Sequence, residues 1–252
     1  MSALVSLVGA GPGDADLLTL KAVKRLSEAD LVLYDGLVDP DVLKLVGKAR
    51  RFYVGKRAGR KAIEQETINH LMIRAARRGE RVVRLKCGDP FVLGRGGEEA
   101  LALAEADIPF EVVPGISSAV AGPALADIPV THRGIASGFL VISGHSESAY
   151  RPILGSLAPG SVTVVVLMGL ATKARLAQVM LERGWKASTP AAIAFAASTA
   201  RSQTWLGTLG ELGRAPIPDE LIGDPATLCI GEVVSLSAQL AQARSLRRVR
   251  AS

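Results

Sequence analysis

The sequence predicts an α/β protein of two domains, and three observations carry that expectation. Short apolar runs alternate with stretches of helical periodicity, first over 4–113 and again over 139–234. Glycine-rich turns follow the apolar runs, at Gly9–Gly13, Gly55–Gly59 and Gly88–Gly97. Between Gly115 and Gly138 the texture changes, and small residues and prolines replace the alternation. Alternation of strand and helix argues for a mostly parallel sheet covered by helices. The expected boundaries are an N-terminal α/β domain over 1–114, a linker helix and loop over 115–137, a C-terminal α/β domain over 138–240 and a basic tail over 241–252.

The elements follow in chain order. Leu4 to Val8 is wholly apolar and reads as a buried strand. Thr19 can cap a helix whose Leu20, Val23 and Leu26 fall on one face. Leu31–Tyr34 reads as a second strand with Asp35 at its end, and Arg51–Val54 as a third. Gln65 to Arg78 carries a stripe of Ile68, Leu71, Met72 and Ala75, and Gly79 stops that helix. Arg81–Leu85 is a fourth strand and Phe110–Val113 a fifth. Ile116-Ser117-Ser118-Ala119 opens a small-residue helix. In the second half, Phe139–Ile142, Ser161–Leu167, Ala191–Ala196, Gln203–Leu206 and Thr227–Val234 read as strands, the last broken by Gly231. A helix is expected from about Lys173 to Arg183, closed by Gly184.

The stretch RLKCGDPFVLGRGGEE, Arg84 to Glu99, stands at the centre of the chain's organisation. It leaves a strand, passes through Gly88, Pro90, Gly94, Gly96 and Gly97, and enters a helix. Such a turn exposes backbone N–H groups with no side chain in the way, which is where open α/β sheets bind small ligands. Gly9-Ala10-Gly11-Pro12-Gly13 suggests a second ligand loop, of dinucleotide type, with Asp35 as the ribose contact. Two departures weaken a nicotinamide reading: the third glycine comes one position early, and Pro12 removes an N–H from the phosphate cradle.

Composition limits the partners. With 252 residues, 48% of them hydrophobic, the chain can bury a sizeable core. No apolar stretch is long enough to cross a bilayer, and the N-terminus has no basic region or cleavage site of a secretory signal. Cys87 and Cys229 lie far apart without a CxxC pattern, which fits a reducing cytoplasm. His70, His132 and His145 are isolated, so no metal site is expected. The net charge of +6 owes much to Arg244, Arg247, Arg248 and Arg250, read as a solvated tail. Aromatic residues are only 4%, too few for stacking on single-stranded nucleic acid, and no nucleic-acid motif is present. Neither nucleic acid nor a membrane is expected as a partner.

Taken together, VSLVGAGPGDADLLTLKAVKRLSEADLVLYD, VGKRAG, RLKCGDPFVLGRGGEE and VPGISSAVAGPALADIPVTHRG resemble the tetrapyrrole methylases, and within them the uroporphyrinogen-III C-methyltransferases. The resemblance runs from about Leu4 to Val234. GAGPGD, GDP and PGISS are shared across the wider family, whereas VGKRAG, GRGGEE and IPVTHRG are particular to that branch. The resemblance implies two α/β domains with a cofactor cleft between them, a homodimer, and S-adenosyl-L-methionine as cofactor with no metal. It implies methylation of uroporphyrinogen III at carbons 2 and 7 to give precorrin-2, for cobalamin or sirohaem synthesis. The fused sirohaem synthases carry an additional N-terminal half with dehydrogenase and ferrochelatase activity, so this chain is expected to stop at methylation.

Position by position, the resemblance implies cofactor contacts at Pro12, Cys87, Gly88, Asp89, Val92, Ser117, Ser118, Met168 and Ala197. It implies Asp35 as proton acceptor and Lys56 as proton donor; Asp35 reads equally as a turn cap, and Lys56 equally as a contact to a substrate carboxylate. Uroporphyrinogen is a polycarboxylate, so Lys56, Arg57, Arg95 and Arg133, which lie in the motif loops, are the candidate substrate contacts. Four departures from the family pattern stand out: Cys87 for glycine or serine, Leu93 for phenylalanine, Lys61 for histidine and Ser143 for threonine.

Overall fold

A computed structural model describes residues 5–55 and 63–250. Of the positions singled out above, Lys56, Arg57 and Lys61 lie outside the described residues. The chain divides into two compact units, Met1–Ser117 and Ser118–Ser252.

The first unit is a five-stranded parallel sheet. Its strands are β1 (Val5–Gly9), β2 (Leu31–Tyr34), β3 (Arg50–Tyr53), β4 (Val82–Lys86) and β5 (Phe110–Val113), in the order β3-β2-β4-β1-β5. Its helices are α1 (Leu20–Glu28), α2 (Pro40–Lys44), α3 (Gln65–Arg77) and α4 (Gly96–Glu105). β1, β2 and β4 carry apolar side chains toward both faces because helices cover both. Val5, Leu7, Leu31, Leu33 and Val82 pack with Ile68 and Met72 of α3 and Leu103 of α4. Val8, Val32, Val83 and Leu85 pack on the opposite face with Ala22 and Leu26 of α1 and Val42 of α2. β1 lies between β4 and β5, so the connections leaving β1 and β4 run in opposite directions across the sheet. The crevice outside the carboxyl ends of such strands is where doubly wound sheets bind ligands.

Local chemistry explains the helix ends. Thr19 caps α1, its hydroxyl accepting from the Ala22 N–H at 3.1 Å. The apolar stripe expected on α1 is corrected: Ala22 and Leu26 are buried, while Leu20, the first helical residue, is 91% exposed. A side chain at that position has no preceding turn to lie against. Gly79 follows α3 with φ +84°, a left-handed conformation that suits a residue without Cβ.

The second unit holds α5 (Ser118–Leu125), β6 (Phe139–Ser143), α6 (Glu147–Ser156), β7 (Thr163–Leu167), α7 (Lys173–Glu182), β8 (Pro190–Phe195), β9 (Gln203–Thr208), α8 (Leu209–Leu212), β10 (Ala226–Ile230) and α9 (Leu236–Arg250). The strand order is β6-β7-β10-β8-β9. The second alternation does not repeat the parallel sheet of the first unit. Only β6 and β7 pair in parallel, and β10 runs antiparallel to both of its neighbours, as does β9 to β8. The strand expected to reach Val234 ends at Ile230; Gly231, at φ +148°, turns the chain into a short 3-10 segment, Glu232–Ser235. The segment read as a basic tail continues α9 to Arg250. α5 packs tightly on β10, since a Cβ on Gly122 would lie 2.9 Å from the Thr227 Cβ.

Candidate functional site

In the first unit, the loops leaving β1, β4 and β5 meet at the carboxyl edge of the sheet. Gly88 N donates to the Gly11 carbonyl at 2.7 Å and Gly11 N to the Gly88 carbonyl at 3.2 Å, a two-way bridge between the first two loops. Asp89 Oδ2 accepts from Gly115 N at 3.0 Å and joins the third, while its Oδ1 accepts from Phe91 N at 2.8 Å. The approach of backbone to backbone is close. A Cβ on Gly9 would stand 2.6 Å from both Gly115 Cα and the Gly88 oxygen, where no real Cβ sits. These glycines are therefore required by contact between the loops. Pro12, Cys87, Gly88 and Asp89, all singled out from sequence, share this edge; Pro12 is buried and Cys87, Asp89 and Val92 are partly so.

The Cys87 thiol lies 3.8 Å from the Gly11 carbonyl, and burial pushes its pKa up to about 11. A thiol so held is not a nucleophile at neutral pH. Among the candidate contacts of this unit, Pro12, Cys87, Gly88, Asp89, Val92 and Ser117, there is one carboxylate and no cationic side chain. Arg95, nearby in sequence, is a left-handed residue (φ 59°) at the start of α4, and its guanidinium is taken by Glu98 at 2.9 and 2.6 Å. That donor set suits a ligand carrying positive charge. It does not suit a pyrophosphate, and α1 begins only at Leu20, after a short 3-10 segment at Ala15–Leu17, so no helix N-terminus opens at Gly13.

Asp35 stands at the end of β2, with its side chain 30% exposed. Its Oδ1 accepts from Arg84 Nη2 at 2.6 Å. Arg84 Nε donates to Glu99 Oε1 at 2.8 Å, and Lys86 Nζ lies 2.9 Å from Glu99 Oε2. Gln65 Nε2 reaches Glu99 Oε1 at 3.0 Å. The side chains of Arg84, Lys86 and Glu99 are 3%, 4% and 0% exposed. Burial, aided by the neighbouring Arg84, holds the Lys86 ammonium below the usual lysine pKa, and the Asp35 and Glu99 carboxylates hold Arg84 above the usual arginine value against its own burial. Sequence reasoning placed Asp35 but missed Arg84, Lys86 and Glu99. The signal was present: two cations at alternate positions of a strand covered on both faces require buried carboxylates on the same face.

In the second unit, the carboxyl ends of β6, β7 and β8 lie on one edge of the sheet, with the start of β10. Met168 follows β7 at φ 58° with about half of its side chain exposed. Ala196 and Ser198 flank Ala197 after β8, both with positive φ (43° and 67°). Non-glycine residues in that region carry strain of order 1–3 kcal/mol and cluster at functional sites. Thr227, which pairs with Leu167 beside Met168, donates to the Ser118 carbonyl at 3.4 Å. Met168, Ala197 and Ser118 thus occupy one edge within this unit. Arg133 is exposed in the turn closed by the His132–Ala136 bridge.

A family model for the tetrapyrrole (corrin/porphyrin) methylases matches residues 4–213. The chain belongs to that family. It is 47% identical over 238 residues to a siroheme synthase of Chromobacterium violaceum, covering 94% of this chain and 50% of that protein. A siroheme synthase of Neisseria meningitidis serogroup B is also 47% identical, with 94% and 49% covered. The chain thus spans about half the length of these curated relatives. Among solved structures, a uroporphyrin-III C-methyl transferase from Thermus thermophilus, complexed with S-adenyl homocysteine, is 41% identical. It superposes with a TM-score of 0.79 over 93% of this chain and 100% of that one. Cobalt precorrin-4 methyltransferase is 25% identical at the same TM-score, with 92% and 95% covered. As a tetrapyrrole methylase, this chain shows the family's two α/β sheets. No helix among the described residues is long and apolar enough to cross a membrane, and no group of three or more His, Cys, Asp or Glu among them could hold a metal.

Proposed function

We propose that this tetrapyrrole methylase transfers methyl groups from S-adenosyl-L-methionine to carbons 2 and 7 of uroporphyrinogen III, giving precorrin-2. The observation that carries the reading is the 41% identity, over nearly the whole of both chains, to a uroporphyrin-III C-methyl transferase that binds S-adenyl homocysteine. The loop cluster of the first unit supports it, because the contacts assigned there carry one carboxylate and no cation, which suits a cofactor that bears a sulfonium.

When bound, the cofactor supplies an electrophilic methyl on a good, neutral leaving group, which an electron-rich pyrrole carbon attacks. The residues assigned to hold it are Pro12, Cys87, Gly88, Asp89, Val92, Ser117, Ser118, Met168 and Ala197. The chain's own work is to align and to keep water out, and alignment of this kind can be worth roughly 7–11 kcal/mol. Asp35 is assigned as the base that takes the ring proton after methylation, a contribution on the order of 10²–10⁴-fold. Arg84 supports that role by holding one carboxylate oxygen at 2.6 Å. Arg95, Arg133 and Arg57 are assigned to substrate carboxylates, and Lys56 to the same task or to proton donation. Arg95 must leave Glu98 to do so, and that exposed pair is weak enough to exchange. A homodimer working in the cytoplasm completes the reading, supported by the family resemblance and by two free cysteines.

Isothermal titration with S-adenosylhomocysteine, and in parallel with NADH and NADPH, tests the cofactor. Binding of the homocysteine analogue with silent nicotinamides is the expected result. Nicotinamide binding alone would overturn the proposal and make Asp35 a ribose ligand.

A further inference from the structure

Arg84 uses three nitrogens on three partners. Nη2 donates to Asp35 Oδ1 at 2.6 Å, Nε to Glu99 Oε1 at 2.8 Å and Nη1 to the Leu85 carbonyl at 3.2 Å. A guanidinium is a rigid planar fork, so fixing its Nε edge fixes where Nη2 points. Glu99 does that fixing. It is fully buried in the first turn of α4 and gathers Arg84 and Lys86 from β4 and Gln65 from α3. Lys86 is the last residue of β4, so its bond to Glu99 also closes the base of the loop 87–95. That loop carries Cys87, Gly88, Asp89 and Val92, and Lys86 Cε lies at ordinary van der Waals distance, 3.5 Å, from where a Cβ on its Gly94 would stand.

The two cations are balanced by two carboxylates, but the four are not paired off: Glu99 contacts both cations and an amide, while Asp35 contacts Arg84 alone at the partly exposed end of the chain of contacts.

We propose that Glu99 is a positioning residue: through Arg84 it fixes the Asp35 carboxylate, and through Lys86 it ties that carboxylate to the loop over 87–95. The inference rests on the reading of Asp35 as proton acceptor. It predicts that the order of the loop and the aim of Asp35 are set together, by a residue that touches neither substrate nor cofactor.

The test compares Glu99→Gln, Gln65→Ala and Asp35→Asn in the full chain. The readouts are steady-state methyl transfer to uroporphyrinogen III, titration with S-adenosylhomocysteine, and thermal melting. Glu99→Gln is expected to lower kcat on the order of 10–100-fold, as small misplacements do, with KM for uroporphyrinogen III unchanged and a loss of homocysteine-analogue affinity smaller than the loss of kcat, because the loop it steadies carries the assigned cofactor contacts. Gln65→Ala removes one of the donors that hold Glu99 and is expected to lower kcat less, again without moving KM. If Glu99→Gln does not fold, Gln65→Ala decides alone, and an unchanged kcat there overturns the proposal. So does a Glu99→Gln enzyme with parental kcat, or one that loses turnover only in proportion to lost affinity and melting temperature. Slow Asp35→Asn beside parental Glu99 and Gln65 variants overturns the positioning role alone. Parental turnover in Asp35→Asn, with the homocysteine analogue still bound, overturns the reading of Asp35 and this inference with it.

Discussion

Arg84 Nη2 lies 2.6 Å from Asp35 Oδ1, joining the end of β2 to the middle of β4. The register explains it: Leu33 pairs with Arg84 and Tyr34 with Leu85, so Asp35 emerges beside the strand that carries the guanidinium, on the same face of the sheet. A surface carboxylate at a strand end is thereby given a buried cation as its fixed partner.

If Asp35 takes the ring proton, Asp35→Asn should slow turnover by about 10²–10⁴-fold. Affinity for S-adenosylhomocysteine should not change, because Asp35 is not among the residues assigned to the cofactor. Paired kinetics and calorimetry check this. Parallel loss of both would mean that Asp35 holds the loops together instead.

The contact among the three glycine loops leaves no room for a side chain. Gly115→Ala would place a Cβ 2.7 Å from Gly9 Cα. Overpacking against backbone of this kind typically costs about 1–3 kcal/mol and occasionally more. Chemical denaturation should show that loss, and titration should show weakened S-adenosylhomocysteine binding even where the chain stays folded. Gly97→Ala, with nothing within 4 Å of its added Cβ, is the matched control.

Glu111 anchors the amino end of the first sheet to α1. It accepts from Arg25 and from Ser6 at 2.9 Å, and Lys21 lies 2.7 Å away. The Arg25 guanidinium, foremost, holds its pKa down to about 2. A carboxylate whose folded pKa is depressed contributes stability above its unfolded pKa and loses it as pH falls through the folded value. The contribution, on the order of 1.5–3 kcal/mol for charged hydrogen bonds, should be complete at pH 6 and fade between roughly pH 4.5 and 2. Denaturation of the parent and Glu111→Gln proteins across that window should converge as the pH falls.

Both thiols should be slow. Burial pushes Cys87 to about 11 and Cys229 to about 12. Because the thiolate is the reactive form, alkylation at pH 8 should be far slower in the native protein than in denaturant, where both react as free cysteines. Rapid native labelling of Cys87 would show that its loop opens.

Much of the fold was legible because it is written locally. Thr19 before α1, Gly79 after α3 and the glycines after β1 and β4 mark ends that turn and cap chemistry alone can place. The direction of strands is not written locally. Apolar runs such as Ser161–Leu167 and Ala191–Ala196 look the same whichever way their neighbours point, so the antiparallel pairing around β10 could not be read. α6 was missed because Pro152 interrupts its pattern. Of the candidate site, Pro12, Gly88 and Asp89 were singled out through their motifs, and the structure bonds the loops that carry them together at one edge. Glu99 was read as a helix start and no more, because its partners Gln65, Arg84 and Lys86 lie on other elements, more than ten residues away in sequence.

The most direct measurement is anaerobic incubation of the purified chain with uroporphyrinogen III and S-adenosyl-L-methionine, followed by mass analysis of the tetrapyrrole. The account predicts a product carrying two added methyl groups, with S-adenosylhomocysteine formed in step. An unmodified macrocycle, from protein that binds S-adenosylhomocysteine, would contradict the assigned substrate.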